Sequence, residues 1–325
     1  MSSKQKERQH VVCRAVLVTI EQLEQRRLLT SCDVVFDILT VSGDDSVNNN
    51  MTISYSAGKV TVTDSAASTT NCADKLDIGR IIVYGGSGPS ATSTGADTVT
   101  VASSIPSSIA TTLYGQDGND TLKGGAGTND LEGGDGADSL SGGDGNDTVS
   151  GDSVTTSEGA DTLKGGDGTD FADYSLRTDN LIITMNDGSA NDGASGENDW
   201  VEDTIENVTT GTGNDNVTGN SAANTIHGGM GRDSLSGGSG EDWLYADSIS
   251  GASGGEILSG GDDADHMYGA EGDDTLTGGA GADEMHGGDG NDVFHSKNDG
   301  SVDTVRGENG TDDVTDTDAG DDVLT

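Results

Sequence analysis

Over two long stretches of the chain one apolar residue returns every nine positions, framed by glycine and aspartate. Residues 115–173 read GQDGNDTLK, GGAGTNDLE, GGDGADSLS, GGDGNDTVS, then GDSVTTSEGADTLK and GGDGTDFAD. Residues 210–295 read TGTGNDNVT, GNSAANTIH, GGMGRDSLS, GGSGEDWLY, ADSISGASGGEILS, GGDDADHMY, GAEGDDTLT, GGAGADEMH and GGDGNDVFH. The consensus is GGxGxDxUx, with U apolar. A short fixed period of this kind marks stacked structural repeats. Glycine at the first, second and fourth places permits a tight turn with positive φ and close backbone approach. The eighth residue belongs to a three-residue strand and points inward. The inward set is Leu122, Leu131, Leu140, Val149 and Leu163, then Val217, Ile226, Leu235, Leu244, Leu258, Met267, Leu276, Met285 and Phe294.

One nonapeptide is half a coil, a loop plus a short strand, and two complete a turn. Stacked turns give two parallel sheets at sheet-packing distance, about 10 Å apart. The predicted fold is therefore all-β, a parallel β-solenoid. Two units, residues 151–164 and 246–259, are expanded to fourteen residues and align without gaps. Insertions in solenoids map to loops, and these two read as spacers or paired loop decorations.

Outside the two blocks the pattern changes. Residues 33–114 carry β-branched, alternating runs, DVVFDILTV, MTISYSAGKVTVTD, LDIGRIIVY and DTVTVAS, which predict strands. GADTVT from Gly95 looks like one more repeat, so this region reads as a degenerate start of the solenoid, with a small β-sandwich as the alternative. Residues 174–209 read as an irregular coil of the same solenoid, with Trp200 as a packing anchor. Residues 296–325 keep an acidic sixth place and a valine eighth, as capping repeats do. Residues 1–32 are the only basic, helix-like stretch.

Composition sharpens the reading. Apolar residues make up 30% and aromatics 3%, with 52 glycines among 325 residues. Globular chains hold about 45–50% apolar residues, so no single thick core can form here. The net charge is -43, from 58 acidic and 15 basic side chains. Held together, those carboxylates repel unless cations neutralise them, and hard oxygen ligands favour calcium. Nucleic acid is excluded as a partner, since phosphate binding needs clustered Lys and Arg. No apolar run approaches the roughly 18 residues of a membrane span.

These repeats resemble the RTX, or hemolysin-type, calcium-binding family. The resemblance covers roughly half the chain. It implies a right-handed parallel β-roll with calcium held between loops of repeats two apart. The matching aspartates are Asp120, Asp138, Asp147, Asp161 and Asp170, then Asp215, Asp233, Asp242, Asp265, Asp274, Asp283 and Asp292. Asn129 and Asn224 replace aspartate in two units, Glu256 in a third, and Asp263 replaces a fourth-place glycine; these sites are expected to be weak or empty. A further stretch, EQLEQRRLLTS, resembles the LE-x-R-x-LL motif of planctomycete exported proteins through Leu23, Glu24, Arg26, Leu28 and Leu29. Together the two resemblances imply a secreted, extracellular or cell-surface calcium-binding protein of structural role. The alternatives are an adhesin-like module that grips glycans or matrix, and the accessory region of a secreted hydrolase or toxin.

No catalytic centre is expected. There is no HExxH, and the one GxSxG match, GASGG around Ser253, lies inside a repeat expansion without strand–turn–helix context. Of three cysteines, none forms a CxxC pair, and Cys32 and Cys72 are candidates for a bridge in an oxidising compartment.

Overall fold

The computed structural model describes residues 12–13, 31–35, 38–42, 49–56, 59–64, 70–73, 80–85, 95–152, 159–185, 188–247, 255–296, 299–315, 317 and 320–324. Every regular element among them is a strand. The strands wind into a parallel β-solenoid of about 10 turns. One face is a continuous 15-stranded sheet, and the opposite face consists of two 8-stranded sheets. The helix expected within residues 1–32 and the export-like motif lie outside the described residues, apart from the strands Val12–Cys13 and Ser31–Val35.

Because two nonapeptides make one turn, like residues stack directly over one another. On the interrupted face Leu122 pairs with Leu140, and Leu140 with Leu163. On the continuous face Leu131, Val149 and Ala172 follow one another, as do Ile226, Leu244, Met267 and Met285. All fourteen inward residues named above are buried. They form a ladder one side chain wide between the faces, and strict registry follows from it, since a one-residue slip would turn the ladder into solvent.

Residues 38–114 share these sheets. Ile38–Ser42, Arg80–Tyr84 and Ala110–Asp117 run parallel and lead into the continuous face. Asn50–Ser56 pairs in parallel with Thr98–Val101, which pairs with Thr121–Lys123. Antiparallel strands Lys59–Asp64 and Thr70–Ala73 extend the opposite sheet outward. Val12–Cys13 runs antiparallel to Ser31–Val35, with Cys13 opposite Cys32 in backbone register. The cysteine side chains, and with them a Cys32–Cys72 bridge, lie outside the described structure.

Between the blocks the chain reverses. Leu181–Thr184 joins the later sheet beside Asn216–Thr218, Gly193–Ala194 runs antiparallel to it, and Trp200–Val201 joins the earlier sheet beside Thr162–Asp167. The interrupted face divides here. Trp200 is not the anchor that its size suggested. It stands outward and exposed, and Val201 fills the ladder, because alternation along a strand sends only one of two neighbours inward. At the far end Val305 is buried and Val323 is exposed, so the ladder runs out among the last strands.

Candidate metal centre

The loop geometry follows from the unit GGDGADSLS at residues 133–141. Gly134 and Gly136, the second and fourth places, have φ of 108° and 130°, where only glycine is at ease. The first place is glycine for a different reason: a Cβ on Gly133 would overlap Asp138 Oδ2 and the Gly151 carbonyl oxygen of the next turn. The loop thus keeps open a small space bounded by a carboxylate oxygen and a backbone carbonyl.

The sixth-place side chains line both edges of the solenoid. One row precedes the strands of the interrupted face and contains Asp120, Asp138 and Asp161, then Asp215, Asp233, Asp274 and Asp292. The other precedes the strands of the continuous face and contains Asp147, Asp170, Asp242, Asp265 and Asp283. All twelve are buried. Within each row Oδ1 accepts the backbone N–H of the sixth-place residue one turn earlier. Asp120 N–H donates to Asp138 Oδ1 at 2.7 Å, Asp138 N–H to Asp161 Oδ1 at 2.8 Å, and Asp265 N–H to Asp283 Oδ1 at 3.0 Å.

Oδ2 differs from Oδ1. In Asp120, Asp138, Asp147, Asp161, Asp170, Asp215, Asp242, Asp265, Asp274, Asp283 and Asp292 this atom is buried and has no hydrogen-bond donor. An unserved charged oxygen is costly in a protein interior. The strain shows in acidity. Loss of water pushes Asp120, Asp242 and Asp265 up to about 7, and Asp138 and Asp161 to about 8, against the opposing pull of the backbone N–H. Asp147, Asp283 and Asp292 rise to about 6 for the same reason.

A hard cation would relieve both features. Among the described residues no three His, Cys, Asp or Glu side chains converge as a metal cluster. A metal here must therefore be held by isolated carboxylates together with backbone carbonyls, a donor set of oxygen alone that suits calcium and not zinc. The family description "RTX calcium-binding nonapeptide repeat (4 copies)" matches residues 124–155, 150–175, 209–244, 250–285 and 259–294. The two blocks are RTX calcium-binding repeats. No curated protein matches the chain. The RTX matches leave out residues 176–208, where the chain reverses.

The rows extend beyond the RTX aspartates named from the sequence. Asp97 accepts the Asn49 N–H, and Asp303, Asp312 and Asp321 accept those of Asp283, Asp292 and Asp303. Their sixth places are readable in GADTVT and in the terminal repeats. Glu206 and Asp199 also belong, accepting the N–H groups of Asp170 and Asp161 at 2.7 and 2.9 Å. The nine-residue period is lost there, and the sequence signals these two only through an acidic residue two places before an inward valine, in Asp199–Trp200–Val201 and Glu206–Asn207–Val208. Ser253 of the GASGG match lies outside the described residues.

Proposed function

We propose that this is an extracellular or cell-surface protein of structural role, without enzymatic activity, whose roll folds when calcium is available. The observation that carries the reading is the row of buried Oδ2 atoms without donors, nearly all of them beside a first-place glycine that keeps the loop open. The twelve sixth-place aspartates, with neighbouring carbonyl oxygens, are the groups that would hold the metal. Bound calcium would supply positive charge and coordination to these carboxylates. Only the folded chain presents these oxygens together, so calcium stabilises it by mass action. RTX repeats generally belong to secreted or surface-exposed proteins, and millimolar calcium outside cells suits sites of about 10⁻⁴ to 10⁻³ M.

Calorimetry on the full chain should show several ions bound per molecule. Circular dichroism should show little β signal in chelator and a steep rise as calcium is added. Magnesium should substitute poorly, since it demands small octahedral sites and sheds water reluctantly. Binding of no ion or one ion at millimolar calcium, or full β structure in chelator at pH 8, would refute the reading.

An adhesin-like role with glycan or matrix partners draws on one further feature. On the outer side of the continuous face His227, Tyr245, Tyr268 and His286 stack in a column, with centroid spacings of 4.6, 5.0 and 5.0 Å. Beside it Trp243 stacks on His266 at 4.0 Å. The rings cover one another's faces and leave mainly edges to solvent, so the column serves first as cross-strand support. A glycan array on the calcium-loaded protein decides whether it also binds sugars.

A further inference from the structure

At most sixth places the chain sets a carboxylate with one unserved oxygen. At three it sets an amide, and at two of these, Asn49 and Asn129, the oxygens of the next turn already have a donor, whereas Asn224 donates elsewhere. Asn129 Nδ2 donates to the carbonyl oxygens of Gly127 and Gly142, the latter at 3.2 Å, and to Asp147 Oδ1 at 3.0 Å. Its Oδ1 accepts the Gly125 N–H at 3.2 Å. Reversing the amide would place oxygen against three oxygens, so the orientation is fixed by chemistry. Asn49 repeats the arrangement, its Nδ2 donating to the Gly85 carbonyl at 2.9 Å and to Asp97 Oδ1 at 3.0 Å. Asn224 Nδ2 donates to the Glu206 carbonyl at 2.7 Å and to Asn220 Oδ1 at 3.1 Å, and its own Oδ1 accepts the Asn220 N–H.

Their positions are not scattered. Asn49 lies one turn before Asp97, Asn129 one turn before Asp147, and Asn224 one turn before Asp242. Each therefore stands at the head of a run of carboxylates. The fourth run begins at Asp215, whose Oδ1 accepts the N–H of Leu181 at 2.8 Å, an apolar residue one turn earlier that brings no carboxylate. The run that ends at Asp199 is closed by the Tyr174 hydroxyl, which donates to Asp199 Oδ2 at 3.1 Å.

We propose that these donors take the place of the ion, so that the amide rungs are metal-free and calcium enters the roll as separate runs divided at the junction. The proposal rests on the calcium reading above. An amide NH₂ group brings two donors to the same kind of oxygens a cation would bridge, without any ion to dehydrate. It also lets a run end without leaving a charged oxygen exposed to nothing.

Isosteric exchange on the full chain tests this. Asn129→Asp places a carboxylate oxygen among the oxygens of Gly127, Gly142 and Asp147, an arrangement that only a cation reconciles. Calorimetry at saturating calcium should then count about one ion more than wild type, and the folding midpoint should move to higher calcium. Asp147→Asn should count about one ion fewer while the β signal in calcium is retained. If Asn129→Asp fails to fold even in calcium, the Asp147→Asn count decides alone: one ion lost supports the proposal, and an unchanged count overturns it. A folded Asn129→Asp with the wild-type ion count also overturns it. These outcomes leave the calcium reading intact, whereas a wild-type chain that binds no calcium overturns both.

Discussion

At the residue scale the repeat is governed by which atoms fit beside which. Gly136 is the sharpest case. Its φ of 130° is closed to residues with a side chain, and a Cβ there would overlap the Gly118 carbonyl oxygen of the preceding turn. Gly136→Ala should therefore lose about 2 kcal/mol, combining backbone strain with a backbone clash. Denaturant midpoints in saturating calcium measure it, and a change within error would show that the loop relaxes freely. The chain does tolerate some departures. Gln116, Ala270 and Glu308 take φ of 80°, 75° and 71° at second places, and Asp263 takes 78° at a fourth. Those values lie nearer the left-handed well, which side chains enter at modest cost. The inward and sixth-place residues were legible in the sequence because the nine-residue period names them. The division of labour between Oδ1 and Oδ2 was not, since it depends on a backbone N–H delivered by the neighbouring turn.

At the scale of elements, registry between turns outweighs spacing along the chain. Asp120 and Asp138 are 18 residues apart, and Asp242 and Asp265 are 23 apart, yet the N–H to Oδ1 bonds are 2.7 and 2.9 Å. The ladder pairs across the expansion all the same, Leu235 with Leu258 and Gly238 with Gly261. The registry of the strands on either side is thus kept despite the five additional residues. Deleting five residues from within 248–254 should leave the calcium count unchanged and shift the thermal midpoint by only a few degrees, since loop length enters closure entropy weakly. A lost ion or a collapse of stability would mean that the expansion helps to build a site. The strands of residues 33–114 were readable from alternation, but their partners were not: alternation gives a strand its faces and says nothing of which strand lies beside it. The junction was hidden for a related reason. A reversal of direction has no period, and Arg177, Asp192 and Asp199 become buried only through contacts that the fold creates.

For the whole molecule the decisive quantity is charge. A chain of net charge -43 draws two rows of carboxylates into a narrow roll whose apolar ladder is one side chain wide. Ordering the backbone costs about 1–2 kcal/mol per residue, and a ladder so thin offsets little of it. Protons can do part of what calcium does, because a neutral carboxyl has no charge to leave unserved. The direction follows from the shifts. In the folded roll Asp120, Asp242 and Asp265 titrate near 7, and Asp138 and Asp161 near 8, against an ordinary 3.8. Between about pH 4 and 8 the calcium-free folded state therefore holds more protons than the unfolded chain, so its stability falls as pH rises through that window. Below about pH 4 these groups are protonated in both states and contribute no further change; above about pH 8 the proton-linked stability is gone. Circular dichroism in chelator should accordingly show more β structure at pH 5 than at pH 8, with no calcium present. Adding calcium at pH 8 should restore what alkali removed, because the ion meets the same oxygens. The reverse dependence, with β structure in chelator gained as pH rises, would mean that the buried carboxyls do not oppose folding and that the need for a counter-ion lies elsewhere.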